Sequence, residues 1–451
     1  MSNTLRPSQQ IAHDEICNYI ALGEKRIVLQ GSAGTGKTYL VDELITSLKS
    51  GALYSWGVIY VCAPTGKALN VVRQKITPRS YVEFRTIHSG LKLKQKKNYH
   101  TGEITFELDK YVNPKDPPLK NAQIVILDES SMVGSNLMFG KGKIEEYPDI
   151  VFIFVGDFKQ LPPIGEDISP IFTQGFATVE ITEPIRQSVG SPILDLSYNL
   201  NLLKSRVNNI NENQEGYFFE TNRPRIIEKL AEINGTDQLK YLSWTNDAAD
   251  AINLAVRRKI YGDPRKIELG ESLIFDEPYF GLAENYTTSQ EILVESLTTE
   301  TRRLRVPNEY TTITYKNGGV PEIKEKYAED KITVIPTYDI MTVKLYFVNN
   351  DFHVLHEDSE AEVKSVCTAM KAKCDMKLQS YPGYYWFVER SAFAQMKYNH
   401  ALTVHKSQGS TFETVIVDVP NIGFNKKKPK EMEAMYYTAI TRASKLVALF
   451  S

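Results

Sequence analysis

The stretch GSAGTGKT at Gly31–Thr38 follows a short apolar run, Ile27-Val28-Leu29, and opens a segment reaching Leu48 whose apolar residues recur at helical spacing. Strand, glycine-rich loop and helix in that order satisfy GxxxxGK[ST] at every required position. Gly31, Gly34 and Gly36, with Thr35 among them, let backbone N–H groups turn inward around an anion at the positive end of a helix. Lys37 is then set to neutralise β- and γ-phosphate oxygens, and the Thr38 hydroxyl to ligate Mg²⁺. The stretch therefore predicts an α/β unit that holds a nucleoside triphosphate.

Outward from this loop, strand signals recur at Val58–Cys62, Ile124–Leu127 and Val151–Val155, separated by segments able to form helices. That alternation predicts a parallel sheet in a unit ending near Arg186. A second α/β set is split along the chain: a strand at Lys240–Trp244, a helix at Asp247–Lys259, and strands at Val415–Val419 and Leu446–Phe450. Between its pieces, Gly270 to Tyr385 holds β-branched and aromatic runs at Thr311–Tyr315, Ile332–Pro336 and Met341–Val348, with hairpin signals at Asn317-Gly318 and Asn349–Asp351. This reads as a small β-rich insertion. A shorter one, Leu91 to Leu119, carries Lys92, Lys94, Lys96 and Lys97, a turn at Thr101-Gly102 and a strand at Ile104–Leu108.

At roughly 100 to 200 residues per domain, 451 residues exclude a single small module. A content of 42% hydrophobic and 24% charged residues excludes a disordered chain. With 53 basic against 55 acidic side chains, bulk charge neither announces nor excludes a nucleic-acid partner, since the relevant charge can be concentrated in one groove. Cys17, Cys62, Cys367 and Cys374 make no CxxC pair, so no disulfide framework or zinc site is expected. No apolar run approaches the roughly 20 residues that span a bilayer. The start MSNTLRPSQQ lacks the basic and apolar parts of a signal peptide. The expectation is a cytoplasmic protein, in a host cytoplasm if phage-encoded, with no membrane partner.

Two further strings carry chemistry. Ile124–Leu127 runs into Asp128-Glu129, placing two carboxylates at the carboxyl end of a buried strand, where ligands of open α/β sheets bind. Asp128 is expected to hold Mg²⁺ and Glu129 to orient and deprotonate the attacking water. After Val151–Val155 comes GDFKQLPPI, in which Gln160 can touch both a γ-phosphate and that water without adding charge.

The GDxxQLPP string after a DE strand resembles motif III of superfamily 1 helicases, and the other motifs of that family are found in order over nearly the full length. LRPSQQ resembles the Q motif, with Gln9 reading adenine beside Gln10. APTGKA at Ala63–Ala68 resembles motif Ia and TIHS at Thr86–Ser89 motif Ib, which implies that Pro64, Thr65, Thr86 and His88 contact single-stranded DNA. TEPIRQ at Thr182–Gln187 looks like motif IV, making Arg186 one γ-phosphate arginine. LTVHKSQGSTF at Leu402–Phe412 looks like motif V, with Gly409 at the nucleotide and His405 and Ser407 at the DNA. YYTAITRA at Tyr436–Ala443 looks like motif VI, with Arg442 as the second arginine; SWTN at Ser243–Asn246 is similar to a family strand end near DNA, implying contacts from Thr245 and Asn246.

HKSQGST and the β-rich insertion resemble most closely the RecD/Dda type of superfamily 1B, whose members move 5′ to 3′ on DNA. The resemblance implies an α/β fold of two RecA-like P-loop domains, parallel sheets with helices on both faces. The first would span 1-186 with residues 90-120 as a β-hairpin pin; the second would comprise 187-270 and 386-451, interrupted by a β-rich, SH3-like domain at 271-385. It implies ATP and Mg²⁺ as cofactors, single-stranded DNA and duplex forks as substrates, and single-strand-binding or replication proteins as partners in replication, repair or recombination. Phe106 in EITFELDK is the expected wedge at the pin's working face, with Tyr99 as rival, because aromatic faces stack on bases. The lysines beside it read as a solvated face, and NKKKPK at Asn425–Lys430 as a surface loop, with phosphate contact as the alternative for each.

Two other readings compete: an RNA helicase of the same superfamily, and an ATP-gated clamp that holds single strands without unwinding. Glu129, Gln160, Arg186 and Arg442 argue against the clamp, which can dispense with the water-activating glutamate.

Overall fold

A computed structural model describes residues 5–50, 57–97, 104–109, 116–183, 190–233, 238–262, 264–286, 288–315, 321–323, 332–375, 393–425 and 428–451. The first sheet orders six parallel strands as Val82–Thr86, Val58–Ala63, Ala122–Leu127, Val151–Gly156, Arg26–Gly31 and Ala177–Ile181. Strands covered on both faces need apolar side chains throughout, and all six residues of Val151–Gly156 are buried. Alternate residues serve alternate faces. Ile27 and Leu29 pack with Ile16 of the helix Pro7–Ala21 and with Leu40 and Leu44 of the helix Lys37–Ser50, whereas Val28 joins Phe152 and Phe154 in the opposite core. Val82–Thr86 and Ala177–Ile181, absent from the sequence expectation, are the two edge strands. Half exposed, they lack the continuous apolar run that marks the central four.

The second sheet runs Ala401–Thr403, Leu239–Ser243, Phe412–Asp418, Ala443–Phe450, Gly216–Glu220 and Asn209–Ile210, parallel except for the last pair. Its faces are also both covered. Met435, Tyr436, Ala439 and Ile440 of the helix Pro429–Thr441 pack on Val415, Val417, Val447 and Leu449. Ile226, Leu230, Ile252 and Val256, from the helices Arg223–Ile233 and Asn246–Tyr261, pack on Tyr241, Ile416 and Ala448. Both halves are therefore doubly wound, with helices on each side of a parallel sheet.

Between the pieces of the second sheet's chain, Leu297–Tyr315 pairs antiparallel with Ile332–Val348 from Leu297↔Val348 to Thr314↔Ile332. Asn349 and Asn350, at φ 51° and 53°, turn the chain into Phe352–Leu355, as the Asn-Asn-Asp signal predicts. The turn predicted at Asn317-Gly318 lies outside the described residues. A helix, Glu357–Asp375, follows that the β-rich expectation did not contain; Val363 and Cys367 cover Met341, Val343 and Leu345, one face of the hairpin. Three acidic residues in its first turn favour the positive end of its dipole. Among the described residues, no helix is long and apolar enough to cross a membrane.

Arg257 fastens the insertion to the second sheet. Its guanidinium, 2% exposed, grips Glu271 with two nitrogens, donates to the Arg265 and Lys266 carbonyls and lies 4.0 Å over the Tyr398 ring. Burial pushes the Glu271 carboxyl upward against the pull of the guanidinium. Arg257→Ala is therefore expected to destabilise the protein by about 3–5 kcal/mol, because it strands a buried carboxylate. Chemical denaturation measures this, and a loss near zero would mean that water reaches Glu271.

Candidate active site and nucleic-acid track

A cavity of about 260 Å³ opens where the carboxyl ends of the first sheet's strands meet the second sheet's domain. The phosphate loop forms one wall, with Gly34 and Gly36 at φ 85° and 77°, conformations that cost glycine little. Lys37 Nζ donates to the Gly31 and Ser32 carbonyls at 2.6 and 2.9 Å, so the cation lies folded on the loop it serves. Gln9 is buried and its Nε2 donates to the Thr35 and Gly36 carbonyls, both at 3.4 Å. Gln10 instead bonds Asp14 at the surface. Of the two neighbours, only Gln9 reaches the phosphate loop.

Asp128 follows the strand Ala122–Leu127 and enters the cavity with Glu129. Burial, and then the charge of Glu129, push the Asp128 carboxyl up to about 6, although the Glu129 N–H donates to its Oδ1 at 2.9 Å. Glu129 sits at φ 51°, uncommon for a non-glycine residue, and such strain concentrates at functional sites. Two adjacent carboxylates, the first disfavoured as an anion by burial, are a donor set that a hard divalent cation relieves. With the Thr38 hydroxyl in the same cavity, the residues fit Mg²⁺. Among the described residues no group of three or more His, Cys, Asp or Glu forms a metal cage. Mg²⁺ needs none, taking one or two protein oxygens and completing its shell with water and phosphate.

Gln160 is 5% exposed and, among the described residues, its Oε1 meets no hydrogen-bond donor, leaving an acceptor in the cavity wall. The second domain supplies the facing wall. Arg442 caps the helix Pro429–Thr441 and is 3% exposed, with Nε donating to the Thr438 carbonyl at 3.3 Å and Nη1 to the Ser410 carbonyl at 3.2 Å. Gly409 is in the left-handed region, at φ 78°, which favours glycine, and it lies beside Ala68 and Glu129 of the first domain. Arg186 lies outside the described residues.

The residues expected at DNA also follow strand ends. Pro64 and Thr65 succeed Val58–Ala63, Thr86 closes Val82–Thr86, Thr245 and Asn246 succeed Leu239–Ser243, and His405 succeeds Ala401–Thr403. Three of these ends start helices: Thr65, Thr86 and Thr245 each accept a backbone N–H, from Ala68, Ser89 and Ala248. His405 lines a small cavity with the loop Leu161–Glu166. Ser407 departs from its expected role. It is fully buried, its hydroxyl donating to the Val404 carbonyl at 2.7 Å to hold the motif's own turn.

Phe106 departs from the free face of a hairpin. Leu93–Lys97 and Ile104–Leu108 do pair antiparallel, but the Phe106 ring lies 4.1 Å from the His88 ring and packs on the first domain's core. Lys143 Nζ donates to the Phe106 carbonyl at 2.5 Å. Burial, with the Lys143 charge second, lowers the His88 imidazole to about 4, while a hydrogen bond to the Pro64 carbonyl opposes that shift. The hairpin root is thus tied to the two loops expected to carry DNA. Tyr99 and the turn at Thr101-Gly102 lie outside the described residues. Lys92 and Lys94 pair with Asp116 and Asp109, a solvated-face arrangement.

Sequence reasoning missed several contributors. Lys75 and Asp157 line the nucleotide cavity. Asn421 Oδ1 accepts the Trp244 and Thr245 N–H groups at 2.8 and 3.2 Å and so shapes the SWTN loop. Asp157 was legible as part of GDFKQ; Lys75 and Asn421 had no local signal, since their partners are distant in sequence.

Residues 15–166 match the model of an AAA domain, and residues 398–450 that of a UvrD-like helicase C-terminal domain. An uncharacterised protein of Acanthamoeba polyphaga mimivirus is 26% identical over 506 residues, with 97% of each chain covered. The ATP-dependent DNA helicase dda of Enterobacteria phage T4 is 25% identical over 460 residues, again with 97% of each covered. The crystal structure of Pif1 helicase from Bacteroides in complex with ADP-AlF3 and ssDNA superposes with a TM-score of 0.50 at 14% identity, covering 99% of this chain and 92% of that one, a likeness of fold.

Proposed function

We infer that this chain, a superfamily 1B helicase of the Pif1/Dda/RecD type, is an ATP-dependent DNA helicase that moves 5′ to 3′ along a single strand and unwinds duplex DNA. What carries the reading is one cavity lined from both halves: Lys37, Thr38, Asp128, Glu129 and Gln160 from the first, Gly409 and Arg442 from the second. A site complete only when the two halves meet couples hydrolysis to their opening and closing. Alternate gripping of a strand that lies across both then becomes translocation.

In this reading Lys37 leaves its loop carbonyls for the phosphates, and Asp128 and Thr38 hold Mg²⁺. The metal, when bound, supplies charge against the β- and γ-oxygens. Glu129 takes the proton of the attacking water and Gln160 Oε1 accepts from that water. Arg442 meets the charge that develops on the transferred group. Pro64, Thr65, Thr86, His88, Thr245, Asn246 and His405 line the DNA track, single-strand-binding or replication proteins are its partners, and the setting is cytoplasmic. The deciding experiment offers duplexes with only a 5′ or only a 3′ single-stranded tail, with ATP and Mg²⁺. Unwinding of the 3′-tailed duplex alone would reverse the polarity, and stronger stimulation of hydrolysis by RNA would favour the RNA reading.

Phe106 is then the residue that links the pin to the track through His88. Phe106→Ala is expected to leave DNA-stimulated hydrolysis and single-strand translocation close to normal while slowing unwinding by about 2- to 10-fold, the equivalent of the lost ring contact with His88. Translocation on a single strand, assayed beside unwinding of a 5′-tailed duplex, checks it. Equal losses in both would show that the ring supports folding of the domain.

A further inference from the structure

Gln160 and Arg442 stand on opposite walls of the nucleotide cavity, yet the chain around each is bonded to the other. Asp157, 2% exposed, accepts the Gln160 N–H on its carbonyl at 3.1 Å and the Lys159 N–H on its Oδ1 at 3.1 Å, so it sets the turn that presents Gln160. Its Oδ2 accepts the Tyr437 hydroxyl at 2.7 Å. Tyr437 lies five residues before Arg442 on the helix Pro429–Thr441. The next residue, Thr438, accepts the Leu161 N–H at 3.2 Å on its hydroxyl and the Arg442 Nε at 3.3 Å on its carbonyl. Two consecutive residues of the second domain thus hold both flanks of Gln160, and one of them also orients Arg442. A third contact reaches the phosphate loop: Tyr198, its ring 6.1 Å from that of Tyr437, shares a 2.5 Å hydrogen bond with Ser32, while Lys159 Nζ lies 4.1 Å over its face.

We propose that Tyr437 is a positioning residue for hydrolysis, its hydroxyl bond to Asp157 joining the loop of Gln160 to the helix of Arg442 so that the two groups engage the γ-phosphate as one unit. The proposal deepens the reading of this cavity as a hydrolytic site closed between two domains, and rests on it. A neutral phenol bonded to a buried carboxylate is a charge-assisted contact, stronger than one between neutral groups and dependent on geometry. It forms only when the helix and the loop are in register, and so converts a change at either wall into a change at both.

The test uses the full chain carrying Tyr437→Phe, Asp157→Asn, or both. Two readouts are taken: steady-state ATP hydrolysis with saturating oligo-dT, and energy transfer between dyes on the two domains when a non-hydrolysable ATP analogue is added. Tyr437→Phe keeps the ring and its packing. It is expected to lower kcat about tenfold, with KM for ATP within about twofold and the melting temperature lower by only about 2–4 °C, and to reduce the closure signal. The double variant should be no worse than the poorer single one, since both remove the same bond. Wild-type kcat and closure in Tyr437→Phe overturn the proposal, as do losses that add in the double variant or a raised KM accompanied by a melting temperature lower by about 10 °C or more. Should the wild-type chain close on the analogue yet show no DNA-stimulated hydrolysis, the helicase reading fails while the closure signal still decides the role of Tyr437.

Discussion

Glu129→Gln is expected to bind ATP and to grip single-stranded DNA as the wild type does, while kcat falls by about 10²- to 10⁴-fold, the worth of a positioned general base. The substitution is isosteric in a cavity where Glu129 already occupies a left-handed backbone position, so the pocket keeps its shape. What is lost is the acceptor for the proton of the attacking water. The neighbouring Asp128 should not substitute, because burial disfavours its anion and its Oδ1 accepts the backbone N–H of residue 129, a bond that the amide variant retains. Fluorescent-nucleotide binding, measured beside steady-state turnover, separates the two effects. Hydrolysis near the wild-type rate would remove Glu129 from the role of base.

Arg442→Ala should lower kcat by about 10³- to 10⁵-fold, the range for an arginine that stabilises charge in phosphoryl transfer. The first domain's nucleotide contacts lie on other elements and should survive, so nucleotide binding weakens much less than turnover. Arg442→Lys is informative beside it. A lysine keeps the charge but lacks the planar fork that bonds the Thr438 and Ser410 carbonyls together, so it should rescue little. Unchanged turnover with weakened DNA binding would transfer the residue to the DNA track.

The four central strands of the first sheet were legible because each is an uninterrupted apolar run, the requirement of a parallel strand covered on both faces. The phosphate loop and the Asn349–Asn350 turn were legible for a different local reason: positive φ at defined positions restricts the residue types. Edge strands escaped, since exposure on one side admits polar residues and breaks the run. Ala401–Thr403 escaped because three residues are too few to show a period. The nucleotide-site residues were read from short strings whose chemistry is local, and most lie in one cavity; Arg186 is beyond the described residues.

Other assignments depended on which distant segment comes alongside. The sequence alone left Gln9 and Gln10 as neighbours, and only the packing of the helix Pro7–Ala21 on the phosphate loop separates the buried one from the exposed one. It marked Ser407 as part of a motif, yet a hydroxyl's direction is set by the turn it closes, here on Val404. It identified an aromatic residue in the hairpin, but the His88 ring that holds Phe106 comes from the short helix Ile87–Gly90. The bond between Tyr437 and Asp157 spans 280 positions of the chain. Periodicity and turn chemistry are properties of a few adjacent residues and so can be read from sequence. Contacts of that span exist only once two sheets have folded and met, and the tertiary structure alone decides them.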